Sequence, residues 1–133
     1  MDASIQTIIE QSASDSHAGA ITFGAAVAAL MQAGVESYHV DYRRRLATYY
    51  LPSGATHQVP LPAPDVAIPP PFSAEALQAA IRGAQRDEVR YPEFMRLSML
   101  AGCVGYIVWI AGRHVTYFGH RGELHVEPFP SAA

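Results

Sequence analysis

The stretch FGAAVAALMQAGVESYHVDYRRRLATYYLPSGATHQVPLP, residues 23–62, returns 68 positions later as YPEFMRLSMLAGCVGYIVWIAGRHVTYFGHRGELHVEPFP, residues 91–130, without a gap. Twelve of the 40 aligned pairs are identical: Met31/Met99, Ala33/Ala101, Gly34/Gly102, Tyr38/Tyr106, Val40/Val108, Arg45/Arg113, Thr48/Thr116, Tyr49/Tyr117, Gly54/Gly122, His57/His125, Pro60/Pro128 and Pro62/Pro130. A gapless repeat of this length means one supersecondary unit built twice. Reading one copy therefore decides the other.

In the first copy, Thr22 is an N-cap for a helix over Phe23–Ala33, and Gly34 stands where a left-handed C-cap is expected. Tyr38, Val40 and Tyr42 then alternate with His39 and Asp41, the period of a half-buried strand over Ser37–Tyr42. Arg43-Arg44-Arg45 forms a turn. Leu46–Leu51 is a second strand of aromatic and β-favouring residues, Pro52-Ser53-Gly54 is turn chemistry, and Ala55–Val59 is a third strand. Upstream, Ile5, Ile8 and Ile9 share one face of a helix over Ser4–Gln11, with Asp2 near its positive end. The small, polar Ser12–Gly19 is expected to be a loop.

Pro60–Pro71 holds six prolines in twelve positions, an extended connector that cannot donate ladder hydrogen bonds. The second copy follows it. Ser73 caps a helix over Ala74–Gln85, and Pro92 opens another over Tyr91–Ala101. Strands follow at Gly105–Ile110, His114–Phe118 and Glu123–Glu127. The fold class is α+β: a duplicated helix–helix–strand–strand–strand unit, copies 1–62 and 63–133. A three-stranded meander needs cover for its apolar face. The expected assembly is an antiparallel sheet of about six strands with helices on one face.

Half the residues are hydrophobic, so a packed core is affordable. The net charge of −3 gives no global attraction to nucleic acid or anionic lipid. A single cysteine, Cys103, excludes an intrachain disulfide and fits a reducing compartment. The first residues lack the basic and apolar regions of a secretory signal, and no apolar run approaches the roughly 20 residues of a membrane span. A cytoplasmic protein without membrane partners is expected.

The pattern Gly34-Val35-x-x-Tyr38-His39-Val40-Asp41, followed by Thr48-Tyr49-Tyr50, resembles the YdfO-like family of small bacterial and prophage-associated proteins, sometimes labelled phage envelope proteins. The resemblance extends over nearly the whole chain, including the duplication and the Pro-rich middle. It implies an α+β fold and supplies no catalytic residues. The family pattern repeats the aspartate in its second copy, where this chain has Trp109.

Candidate chemistry is sparse. His39 and Asp41 lie two apart on one strand face, where a carboxylate can orient an imidazole as in acid–base pairs. The second copy has Ile107 and Trp109 there. His57 and His125 match between copies, and His120 precedes His125 by five residues, but no recognised metal-ligand spacing occurs. Cys103 aligns with Val35 and reads as a small buried hydrophobe. There is no Walker-type loop, G-x-G-x-x-G or C-x-x-C, so no cofactor or metal is expected.

Three functional readings follow. The leading one is a non-enzymatic binding or protein-interaction module of a phage-associated family. Its contact surface is the helix-free sheet face or the cleft between copies, with Tyr38, His39, Asp41, Tyr49, His57, Tyr117 and His125 as contact residues. The partner is a protein or small molecule. The second is a small hydrolase or lyase using His39 as base and Asp41 as orienter, with metal assistance from His57, His120 or His125. The third, expected to be weak, is nucleic-acid binding through Arg43–Arg45 and the strand aromatics. Homodimerisation is an expectation of any open sheet, whose edges must be paired or blunted.

Overall fold

Both copies fold as helix–helix–strand–strand–strand. The computed structural model describes residues 1–130; residues 131–133, the end of the second copy as bounded from the sequence, lie outside the described residues. The first copy comprises α1 (Ala3–His17), α2 (Phe23–Gln32), β1 (Ser37–Asp41), β2 (Leu46–Tyr50) and β3 (Thr56–Pro60). The second comprises α3 (Ala74–Gln85), α4 (Tyr91–Leu100), β4 (Cys103–Trp109), β5 (His114–Gly119) and β6 (Leu124–Pro128).

The strands form one antiparallel sheet in the order β3-β2-β1-β4-β5-β6. The copies join through β1 and β4, where His39 lies opposite Ile107, its own repeat counterpart. A pseudo-two-fold axis therefore passes between these two residues. Tyr42 donates its amide to the Val104 carbonyl at 3.0 Å, and the related Ile110 amide donates to Glu36 at 3.1 Å. Every positive-φ residue has a repeat-matched partner: Gly19/Asp87, Gly34/Gly102, Arg45/Arg113 and Gly54/Gly122. The Gly19/Asp87 pair carries the repeat upstream of the identical positions, so α1 and α3 are also counterparts. Ile9 and Leu77, the same position in each, are both fully buried.

Alternation puts Tyr38, Val40, Ala47, Tyr49, Tyr106, Val108, Val115 and Tyr117 on the helix-covered face, all at least 93% buried. These residues and the helices form a single core. The opposite face has no helix over it and exposes Tyr50, Trp109, Leu124 and Val126. Both sheet edges end in proline, Pro60 on β3 and Pro128 on β6, which removes one ladder donor from each.

Two expectations need correction. The segment Ser12–Gly19 is not a loop: α1 runs on to His17. Serines favour caps and turns in isolation, but Ser12 and Ala13 continue the apolar stripe of Ile5 and Ile9, and both are buried. Gln11 also bonds Asp15 one turn on, at 2.9 Å. Cys103 does not precede the strand; it opens β4, fully buried, and burial raises its thiol to about 11.

The connector crosses one end of the sheet. Leu61 donates to Arg45 at 3.0 Å, His120 Nε2 meets the Ile68 carbonyl at 3.0 Å, and Ser73 donates to Ala101 at 2.8 Å. Its own Leu61 and Ala63 are buried, which ties the extended chain down.

Candidate functional site

Between the helices and the sheet lies a cavity of about 380 Å³. Its floor consists of Tyr38 and Tyr49 from the first copy and Tyr106 and Tyr117 from the second. Its mouth is framed by the α1–α2 and α3–α4 loops, which are repeat counterparts, so the opening lies near the pseudo-two-fold axis. Most of the lining is apolar.

Repeat comparison explains why space remains here. In the second copy, Phe94 of α4 packs its ring against Tyr91, Tyr106 and Tyr117, with centroids 6.4, 6.5 and 6.3 Å away. The first-copy counterpart is Ala26 of α2, buried and lacking a ring. Likewise Ile81 of α3 corresponds to Ala13 of α1. The volume filled by phenyl and butyl groups in one half is left to the cavity in the other, over Tyr38 and Tyr49.

Hydrogen bonding is asymmetric as well. Tyr106 and Tyr91 hydroxyls bond at 2.6 Å. Their counterparts are Tyr38 and Phe23. Phe23 has no hydroxyl, and its 42% exposed ring turns to the rim, edge-on to Phe129 at 5.9 Å. Among the described residues, the hydroxyls of Tyr38, Tyr49 and Tyr117 have no protein partner, yet no sealed side-chain polar atom is left unpaired. These three hydroxyls therefore reach open volume, and the volume their side chains line is the cavity.

Burial holds the floor tyrosines in their neutral form. It raises Tyr49 to about 12 and pushes Tyr38, Tyr106 and Tyr117 well above the ordinary phenol range. Tyr38 and Tyr49 stack, with centroids 4.9 Å apart and planes 23° from parallel. At the mouth, His17 stacks on Tyr91 at 6.1 Å, and burial lowers its basicity. The charged lining groups already have partners: Arg90 pairs with Asp87 at 3.0 Å, and Glu127, only 8% exposed, accepts from Arg82 at 2.7 Å.

The residues singled out in the sequence divide between the two faces. Tyr38, Tyr49 and Tyr117 meet in the cavity. His57 and His125 share that face but lie outward, beside Tyr49 and Tyr117 in register. His57 bonds Glu10 of α1 at 3.0 Å. The matching Gln78 of α3, its amide nitrogen toward the sheet, donates to His125 at 2.8 Å. These histidines thus link edge strands to helices. His39 and Asp41 lie on the opposite, helix-free face. Asp41 accepts from the Arg43 and Arg44 amides at 3.0 and 3.2 Å, which fixes the β1–β2 turn. His39 lines a shallower groove with Tyr50, Ile107 and Trp109. Arg45 of the basic run turns back to the Ala63 carbonyl. Among the described residues, no group of three or more His, Cys, Asp or Glu is placed to hold a metal ion.

Sequence reasoning missed Tyr91, Phe94, Ala26 and His17. The signal was present at non-identical repeat pairs, Ala26 against Phe94 and Phe23 against Tyr91, where size or polarity changes on a buried face. In comparison with known proteins, the chain matches no family model and no curated protein. Among the described residues, no helix is long and apolar enough to cross a membrane.

Proposed function

We propose that this protein is a non-catalytic small-molecule-binding module whose ligand occupies the cavity between the two copies. The observation that carries this is the set of three neutral tyrosine hydroxyls without protein partners on the floor of an apolar cavity. Volumes of this size suit small ligands, and a few polar groups in an apolar lining are the usual means of orienting them. A hydroxyl held in such a place without a partner forgoes about 1 kcal/mol or more that a ligand could return.

Native mass spectrometry of untagged protein, run against a library of small aromatic compounds, tests the reading. Wild type is expected to retain compounds that Ala26→Phe, which restores the second copy's ring to the first, does not. Equal retention by both proteins would remove the cavity from consideration.

A second reading is favoured by the exposed Tyr50, Trp109, Leu124 and Val126 on the helix-free face. It makes that face a protein-interaction surface, including for a second copy; sedimentation across a concentration series reads it directly. A place among YdfO-like proteins, and the cytoplasm as compartment, belong to the same proposal. The lone, buried and unreactive Cys103 supports the compartment.

A further inference from the structure

We infer that the occupant of the cavity is an uncharged, planar aromatic compound bearing a carbonyl-type hydrogen-bond acceptor, seated in the first-copy half with its acceptor toward Tyr38. This rests on the reading of the cavity as a ligand site and adds the chemistry of what fills it.

Three features of the floor select the class. The first is shape. Ala26 and Ala13 stand where the second copy has Phe94 and Ile81, so the free volume matches a missing aromatic ring and aliphatic group beside the stacked Tyr38–Tyr49 pair. A flat ring placed there meets the same tyrosine surfaces that Phe94 meets in the other half.

The second is hydrogen-bond polarity. Tyr106 has its partner in Tyr91, whereas the repeat counterpart that would serve Tyr38 is Phe23, which has no hydroxyl to offer. Tyr38, Tyr49 and Tyr117 together present three phenolic O–H groups, which are stronger donors than acceptors. The complementary group is an oxygen acceptor, and a carbonyl can take two of them at once.

The third is charge. Among the described residues, the arginines at the cavity are already paired. Arg90 is held by Asp87, and Arg82 by Glu127, which itself sits at the cavity wall. A carboxylate on the floor would lose its hydration without a counter-charge. A cation would find Glu127 already compensated. A neutral acceptor carries neither cost.

The test is a matched series on one ring system, titrated into the full chain and followed by amide chemical shifts: acetylnaphthalene, ethylnaphthalene and naphthoate. Acetylnaphthalene is expected to bind about tenfold tighter than ethylnaphthalene, the worth of one good hydrogen bond in an apolar site. Naphthoate is expected to bind weakest. Tyr38→Phe should erase most of the acetyl advantage and leave ethylnaphthalene within about twofold. If Tyr38→Phe does not fold, Tyr49→Phe and Tyr117→Phe carry the same comparison. Ala26→Phe should abolish binding of all three.

The failures are distinguishable. Equal affinity for the acetyl and ethyl compounds overturns the acceptor and leaves the cavity as a site. Naphthoate binding tightest overturns the neutral class. Binding of none, or binding untouched by Ala26→Phe, overturns both this inference and the ligand-site reading beneath it.

Discussion

The two copies share a backbone and differ in what fills it. In the second, Phe94, Ile81 and the Tyr91–Tyr106 hydrogen bond narrow the space between helices and sheet. In the first, Ala26, Ala13 and Phe23 stand at the same positions, and the space is open. Well-packed interiors hold few voids larger than a water molecule. A cavity of about 380 Å³ in a duplicated core, lined from both copies and bordered by Ala13 and Ala26 where the second copy has Ile81 and Phe94, is therefore a difference to be explained by side chains, since the turn geometry is common to both halves.

The largest expected effect tests how far the backbones are equivalent. Gly34 and Gly102 close the second helix of each copy at φ of 91° and 92°. A Cβ on Gly34 meets nothing within 4 Å, whereas on Gly102 it lies 2.1 Å from the Pro71 carbonyl oxygen. Gly34→Ala is expected to cost about 1 kcal/mol, the left-handed backbone term alone. Gly102→Ala adds a clash with backbone that has no flexible end to move, and should cost more than about 3 kcal/mol. Equal losses in urea denaturation would mean that the connector yields freely.

Next in size is the exchange of fillings. Phe94→Ala hollows the second copy and is expected to cost about 3 kcal/mol, at the lower end for a buried phenylalanine because its site already borders open volume. Ala26→Phe makes the first copy resemble the second. It should leave stability within about 1 kcal/mol of wild type, because the ring enters space already present. A loss of about 3 kcal/mol in Ala26→Phe would show that α2 cannot accept what α4 holds.

Alkaline pH separates the copies by their tyrosines. The buried phenols titrate higher in the folded protein than in the unfolded chain, whose value is 10.0. The unfolded state therefore releases protons first as pH rises, and stability present below pH 10 is lost above it. Tyr49 resists to about 12, and Tyr117 resists further. Tyr49→Phe should flatten the onset of the decline between pH 10 and about 12. Coincident tyrosinate absorbance and circular dichroism transitions would confirm that the phenols ionise by unfolding; ionisation well before unfolding would place them in contact with bulk water.

The identical pairs made the architecture legible. Gly34/Gly102 and Gly54/Gly122 mark turns, Tyr38/Tyr106 and Tyr49/Tyr117 mark the buried face, and the hydrophobic alternation follows from them. The length of α1 was not legible, because Ser12, Ser14 and Ser16 favour loops until tertiary burial decides otherwise. Nor was the cavity, which arises where the repeat is not identical, at Ala26/Phe94 and Phe23/Tyr91. Three of the proposed contact residues, Tyr38, Tyr49 and Tyr117, lie in it because alternation fixes facing. His39 and Asp41 suggested chemistry by their spacing, but Asp41 is engaged by the Arg43 and Arg44 amides of the β1–β2 turn.

The smallest expected effect concerns the edges. His57 is tied to α1 by Glu10, and His125 to α3 by Gln78, so the same strand-to-helix link uses a carboxylate in one copy and an amide in the other. Glu10 is 61% exposed, which leaves its contact with His57 largely screened by solvent. Glu10→Gln should therefore change stability by less than about 0.5 kcal/mol. The reverse exchange is not its mirror. Gln78 accepts from Arg82, which also holds the buried Glu127. Gln78→Glu sets a second carboxylate on that one guanidinium and weakens the compensation of Glu127, a group too buried to recover it from water. The expected order is a larger loss for Gln78→Glu than for Glu10→Gln, measured in one buffer at low salt. Equal effects would show that Glu127 does not depend on Arg82, and would make the second copy's filled wall a matter of packing alone.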